Sequence, residues 1–141
     1  MKPGVFRFEA LLDVYQTQED SLRGEISSLE GERRGVQSRI EDLLRECLAA
    51  RKVLSQGGRV NEVESVVRYV EGLRHWIEQS RSREEDLQKK IGERMVALQA
   101  IRTERLRFGK LKERHRKQIY QHARRLEQKV TDEFAQRKRD R

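Results

Sequence analysis

The chain has 141 residues, of which 40% are charged and 35% hydrophobic, with one proline, one cysteine and a formal net charge of +8. That is too little apolar material for a layered globular core, but enough for one helix-to-helix seam, so the composition predicts an all-α, elongated protein. Cys47 has no partner for an internal disulfide and points to a reducing compartment. No stretch approaches the roughly 18 apolar residues of a membrane span, and the start, Met1-Lys2-Pro3-Gly4-Val5-Phe6-Arg7, lacks the apolar run of a signal peptide.

Pro3 tolerates a helix N-terminus and little else, so a first helix is predicted over about residues 4–55. Its seam reads Val5, Phe8, Leu12, Tyr15, Glu19, Leu22, Ile26, Leu29, Arg33, Val36, Ile40, Leu43, Cys47, Ala50, Leu54, in alternating steps of three and four. This is the heptad period of a coiled coil, interrupted by two charges, Glu19 and Arg33. Gly24, Gly31 and Gly35 fall off the seam. They read as a tolerant solvent face, with close approach of a partner backbone as the alternative; the charges between Gly31 and Gly35 rule out a membrane dimer motif.

Ser55-Gln56-Gly57-Gly58-Arg59-Val60-Asn61 breaks the pattern. Two adjacent glycines mark a turn, placed at 56–60, and Asn61 with Glu64 reads as a capping box opening a second helix over about 61–137. The seam resumes as Val63, Val66, Val70, Leu73, Ile77, Ser80, Glu84, Leu87, Ile91, Arg94, Leu98, Ile101, Arg105, Phe108. A break between two matching seams is a reversal. The expected fold is two long helices forming an antiparallel coiled-coil hairpin, the second helix overhanging the first, in a single domain spanning 1–141. With the reversal centred near Gln56 and Gly57, facing residue numbers sum to about 113. Leu43 then meets Val70, Val36 meets Ile77, Leu22 meets Ile91 and Leu12 meets Ile101. Glu19 faces Arg94, and Arg33 faces Ser80 with Glu84 one turn away.

From about residue 109 the second helix has no counterpart left in the first. Residues 109–141 hold 12 Lys and Arg against 5 Asp and Glu, and so carry nearly all of the net positive charge. An apolar pattern continues there as Leu111, His115, Ile119, His122 or Ala123, Leu126, Val130 and Phe134. A basic, amphipathic and unpaired helix is a binding surface for an acidic partner. The last residues, Arg137-Lys138-Arg139-Asp140-Arg141, read as a frayed tail.

No constellation for chemistry stands out. Gly109-Lys110 lacks the spaced glycine of a phosphate loop. His75, His115 and His122 form no ligand set with Cys47, which reads as a small core hydrophobe; His115 and His122 read as a solvated face. The expectation is no catalysis, no metal and no cofactor. Tyr69 and Trp76, seven apart and flanking the seam beside Leu73, lay an aromatic strip along the hairpin edge. They either cover the seam or form a docking patch.

Three stretches resemble the FliJ family of flagellar type III export proteins and its virulence-secretion counterparts of the YscO kind. They are Phe6-Arg7-Phe8-Glu9-Ala10-Leu11-Leu12-Asp13, Tyr69-Val70-Glu71-Gly72-Leu73-Arg74-His75-Trp76-Ile77-Glu78-Gln79, and Lys112-Glu113-Arg114 followed by Asp132-Glu133-Phe134-Ala135-Gln136-Arg137. The resemblance implies a non-catalytic central stalk, similar to the γ-subunit coil of rotary ATPases. Its partners would be the FliI-like export ATPase hexamer, the FlhA-like export gate and export chaperones. It would lie in the cytoplasm and associate peripherally with the inner-membrane export apparatus, touching the membrane only through those partners.

Carried onto this chain, the resemblance implies gate binding by Tyr69, Leu73 and Trp76. It implies ring binding by Arg7, Phe8, Lys110, Arg114, Lys117, Arg124, Arg125, Glu133 and Arg137. Two other readings remain open. A basic coiled coil could bind nucleic acid, but residues 109–141 hold only Tyr120 and Phe134 as aromatics and interleave acidic residues, so nucleic acid is not expected. A generic coiled-coil scaffold or chaperone is the other.

Overall fold

The structure is a computed structural model that describes residues 5–140. Two helices account for almost all of it, α1 (Glu9–Ser55) and α2 (Val60–Arg139), and no strand occurs among the described residues. Pro3, on which the expected start of α1 was placed, lies outside the described residues. Residues 5–8 are not helical: Phe6 O accepts from Glu9 N and Phe8 O from Leu12 N, so the helix opens at Glu9, an acidic residue suited to the positive N-terminal end of the dipole. At the other end, the tail expected to fray from residue 137 is helical through Arg139. Arg137, Lys138 and Arg139 occupy the last turn, where cations complement the exposed carbonyls.

The reversal between the helices is made by Gly57, the one residue with a positive φ among the described residues, at 78°. Gln56 N and Gly57 N donate back to Val53 O and Leu54 O, ending α1 with a left-handed glycine cap. α2 begins at Val60, just ahead of the expected cap: Arg59 O already accepts from Val63 N. Asn61 therefore sits inside the first turn and caps nothing. Glu62 takes the acidic first-turn position instead, its carboxylate 3.1 Å from where a Cβ on Gly58 would stand.

The chain divides into two compact units. In the unit formed by Ser21–Leu98, the two helices run antiparallel and bury Ile26, Ile40, Leu43, Cys47 and Ala50 of α1 against Val70, Leu73, Ile77, Leu87 and Ile91 of α2. Leu43, Cys47, Leu73 and Ile77 form its tightest cluster. Each such aliphatic side chain contributes about 1.5–3 kcal/mol on burial, which is what holds two highly charged helices together. Around this seam Arg94 Nε lies 2.8 Å from Glu25 Oε2 and Arg83 Nη2 3.5 Å from Glu32 Oε2. Glu84 Oε1 accepts from Gln37 Nε2 at 2.9 Å and stands 3.6 Å from Arg33 Nε. Gly24, Gly31 and Gly35 have nothing within 4 Å of a Cβ built on them, as a solvent face requires.

In the other unit, built from Met1–Asp20 and Gln99–Arg141, the start of α1 packs on α2 around aromatic rings and one buried charge. Glu19, only 1% exposed, accepts from Arg105 Nε and stands 3.7 Å from Arg102 Nε. Lys112 Nζ donates to Glu9 at 2.8 Å. Phe6 meets His115, and Phe108 lies between Phe8 and Tyr15. Pairing thus extends through His115, beyond the expected limit near residue 109, because residues 5–8 continue along α2 ahead of the helix start.

These pairs overturn the expected register. Glu19 is paired with Arg102 and Arg105, not Arg94, whose partner is Glu25; Arg33 reaches Glu84 rather than Ser80. Facing numbers sum to between 115 (Tyr69 with Glu46) and 121 (Gln37 with Glu84) in the first unit. They sum to between 116 (Phe8 with Phe108) and 124 (Arg105 with Glu19) in the second. Two causes add. The break is centred between Ser55 and Val60 rather than on Gln56 and Gly57. Side chains also lean toward the N-terminus of their own helix, and in an antiparallel pair both leans raise the sum of the facing numbers.

Two outcomes follow. Gly57→Ala should lower stability by about 1 kcal/mol in denaturant unfolding, a purely conformational cost, since no atom lies within 4 Å of the added Cβ. Glu19→Ala should cost about 2 kcal/mol, because it leaves Arg102 and Arg105 without their carboxylate while both remain partly exposed. The swap Glu19→Arg with Arg105→Glu should recover part of that loss, whereas pairing Glu19→Arg with Arg94→Glu should recover none.

Candidate functional site

Two surfaces carry the residues singled out by the sequence, one in each unit. In the unit of Ser21–Leu98, Tyr69 and Trp76 each precede a seam residue, Val70 and Ile77, and so project from one flank of the hairpin. Trp76 is 58% exposed, its ring edge-on to His75 at 6.0 Å. Tyr69 is exposed too, and its hydroxyl donates to Glu46 Oε2 at 3.1 Å, tying the strip across to α1. That hydrogen bond, helped by the nearby carboxylate charge, raises the phenol above its ordinary pKa. Leu73 does not share the surface. It is 6% exposed and belongs to the Leu43–Cys47–Ile77 cluster. The strip therefore comprises two aromatics, while Leu73 lies in the seam. Glu46, which the sequence reading missed, completes it; at 23 residues from Tyr69 it could be found only once the register was known.

The second surface lies in the other unit. Of the residues named for ring binding, Lys110, Arg114 and Lys117 come together, lining with Arg105, Leu106, Gly109 and Glu113 a groove of about 410 Å³. Arg7 is exposed, its guanidinium 5.5 Å from the Phe8 ring centre, and Phe8 itself is half-buried against Phe108. Arg124, Arg125, Glu133 and Arg137 stand further along α2, where every residue from 116 to 140 is exposed; Arg124 covers the Tyr120 ring at 5.8 Å. None of these four lines that groove.

Ile119, Leu126, Val130 and Phe134 recur at steps that keep them on the face which, one turn earlier, presents Phe108, Lys112 and His115 to α1. The seam face simply continues past its partner. Leu111 departs from the expectation: it is exposed, and Lys112 takes the seam-side position, because the heptad that includes Ile91, Leu98 and Arg105 next reaches 112. His115, expected on a solvated face with His122, is half-buried on Phe6, and its Nε2 has no hydrogen-bond partner among the described residues; His122 is exposed.

Among the described residues, no group of three or more His, Cys, Asp or Glu could hold a metal ion. No helix there is long and apolar enough to cross a membrane. Both surfaces combine exposed apolar side chains with fixed charges, which suits protein contacts.

The burial pattern separates two roles. Leu73→Ala should lower stability by about 2–4 kcal/mol by opening a cavity in the tightest cluster of the seam. Trp76→Ala should lower it by less than about 1 kcal/mol, since more than half of that side chain is already in water. Thermal unfolding followed by circular dichroism distinguishes the two.

Neither a curated protein nor a solved structure matches the chain. The profile of the family described as Flagellar FliJ protein does, over residues 4–141, nearly the whole sequence. The two-helix hairpin fits that family's coiled-coil architecture, and the chain belongs to the FliJ family of flagellar export proteins.

Proposed function

We propose that the chain is the non-catalytic central stalk of a flagellar type III export apparatus, seated in the ring of a FliI-like export ATPase and reaching a FlhA-like export gate. The observation that carries this reading is the basic end of α2. Its apolar face continues past α1 without a cover, and its positive charge is concentrated in the same residues. Such a helix is ready to complete a seam with an acidic lining. Arg7, Phe8, Lys110, Arg114, Lys117, Arg124, Arg125, Glu133 and Arg137 are the residues assigned to the ring. Tyr69 and Trp76 are assigned to the gate, with Leu73 in the seam beside them. Export chaperones would be delivered at the same apparatus, and the protein would work in the cytoplasm beside the inner membrane.

A hairpin of this kind couples two machines by position alone. Charge steers the end of α2 into the ring and sets its salt dependence, while the apolar stripe supplies the contact that survives salt. The test is a titration of an assembled FliI-like ring with the chain and with a variant carrying Arg114→Ala, Lys117→Ala, Arg124→Ala and Arg125→Ala together. The variant should keep its helical signal and bind at least about tenfold more weakly at physiological salt. Equal affinity with intact helicity would refute the ring contact. Loss of duplex DNA binding in place of ring binding would turn the reading to nucleic acid.

A further inference from the structure

The flank of the hairpin opposite Tyr69 and Trp76 holds a groove that none of the assignments above uses. Its volume is about 470 Å³, and Leu44, Cys47, Leu48 and Arg51 of α1 line it together with Arg74, Ile77, Glu78 and Arg81 of α2. Leu44 and Leu48 follow seam residues, Leu43 and Cys47, as Arg74 and Glu78 follow Leu73 and Ile77, whereas Tyr69 and Trp76 precede theirs. In an antiparallel pair that places the two sets on opposite flanks.

We infer that this groove docks an acidic amphipathic helix of a partner protein. The floor is apolar and set for a helix. Leu44 and Leu48 are one turn apart on α1 and stand 40% and 59% exposed, although neither is needed for the seam. Ile77 and Cys47 close the bottom from the buried cluster. Two helical ridges with a trough between them accept a third helix through residues spaced three and four apart, converting the pair locally into a three-helix bundle.

The rim selects charge. Arg51, Arg74 and Arg81 line the groove against a single carboxylate, Glu78, and none of the three arginines forms an ion pair among the described residues. Elsewhere along the hairpin, arginines in or beside the seam do find carboxylates, as Arg33, Arg83 and Arg94 do. Unpaired guanidinium groups around an apolar trough favour carboxylates on the incoming helix and repel a basic one. The same charge argues against a second copy of the chain as occupant, because its uncovered apolar stripe from Ile119 to Phe134 is flanked by Arg124 and Arg125. The groove shares no residue with the ring or gate assignments, so this inference stands or falls apart from them.

The probes are two synthetic helical peptides with the same leucine pattern, one flanked by glutamates and one by lysines, titrated by fluorescence anisotropy into the full chain. The glutamate peptide should bind saturably and the lysine peptide should not. Leu48→Glu and the double variant Arg74→Glu, Arg81→Glu should each weaken the glutamate peptide by about tenfold or more, while Trp76→Ala leaves it unchanged. Helical signal is checked for every variant, and if Leu48→Glu lost it, the double variant at exposed positions would decide. No saturation by the glutamate peptide, equal binding of both peptides, or affinity unchanged in the double variant would overturn the inference. Sedimentation showing self-association that Leu48→Glu abolishes would overturn it in favour of a second copy.

Discussion

Everything in this protein depends on one narrow apolar stripe. With 40% of its residues charged, the chain has no second hydrophobic layer to recruit, so α1 and α2 are held by whatever a seam two residues wide per heptad can bury. That seam is enough because antiparallel helices present it continuously and each Leu, Ile or Val adds its burial to the last. It also sets a strict division of labour. Residues on the stripe belong to stability, and everything off it is left for water or for partners. Leu73 and Trp76, three residues apart on α2, fall on opposite sides of that division.

A stripe of interchangeable aliphatics aligns poorly by itself, since sliding by one heptad costs little. The charged interruptions supply the alignment. Glu19 is buried, and across the helices its desolvation is offset where Arg102 and Arg105 reach it. Glu84, shared by Gln37 and Arg33, plays the same part in the other unit. A slipped register would bury these charges against Leu or Ile, so the polar residues act chiefly by making the alternatives worse.

The contact we propose begins where the stripe has no partner. Beyond His115 the face of α2 that had met α1 continues as Ile119, Leu126, Val130 and Phe134, surrounded by lysine and arginine. Membership in a flagellar export family gives that surface its natural context. In the role we propose, a helix whose seam is completed by another protein, carrying charge that draws it there, would link the folded hairpin to an assembly. The aromatic flank at Tyr69 and Trp76, completed by the Glu46 carboxylate, differs in chemistry from the basic groove at Lys110, Arg114 and Lys117.

The sequence alone determined the helices and their seam, because a heptad repeat is a local property: a residue's place on the stripe follows from its neighbours three and four positions away. Ile40, Leu43, Cys47, Val70, Leu73 and Ile77 were all legible in this way, as were the Gly57-Gly58 reversal and the uncovered basic end of α2. What paired with what was not legible. The partners of Glu19, the Tyr69–Glu46 hydrogen bond, the rings around Phe108 and the arginine-rimmed groove at Leu48 all depend on register. Register across a hairpin is set by where the turn is centred and by the direction in which side chains lean. A shift of a few residues in either changes no local preference, yet reassigns every contact between the helices, so only the tertiary structure could decide it.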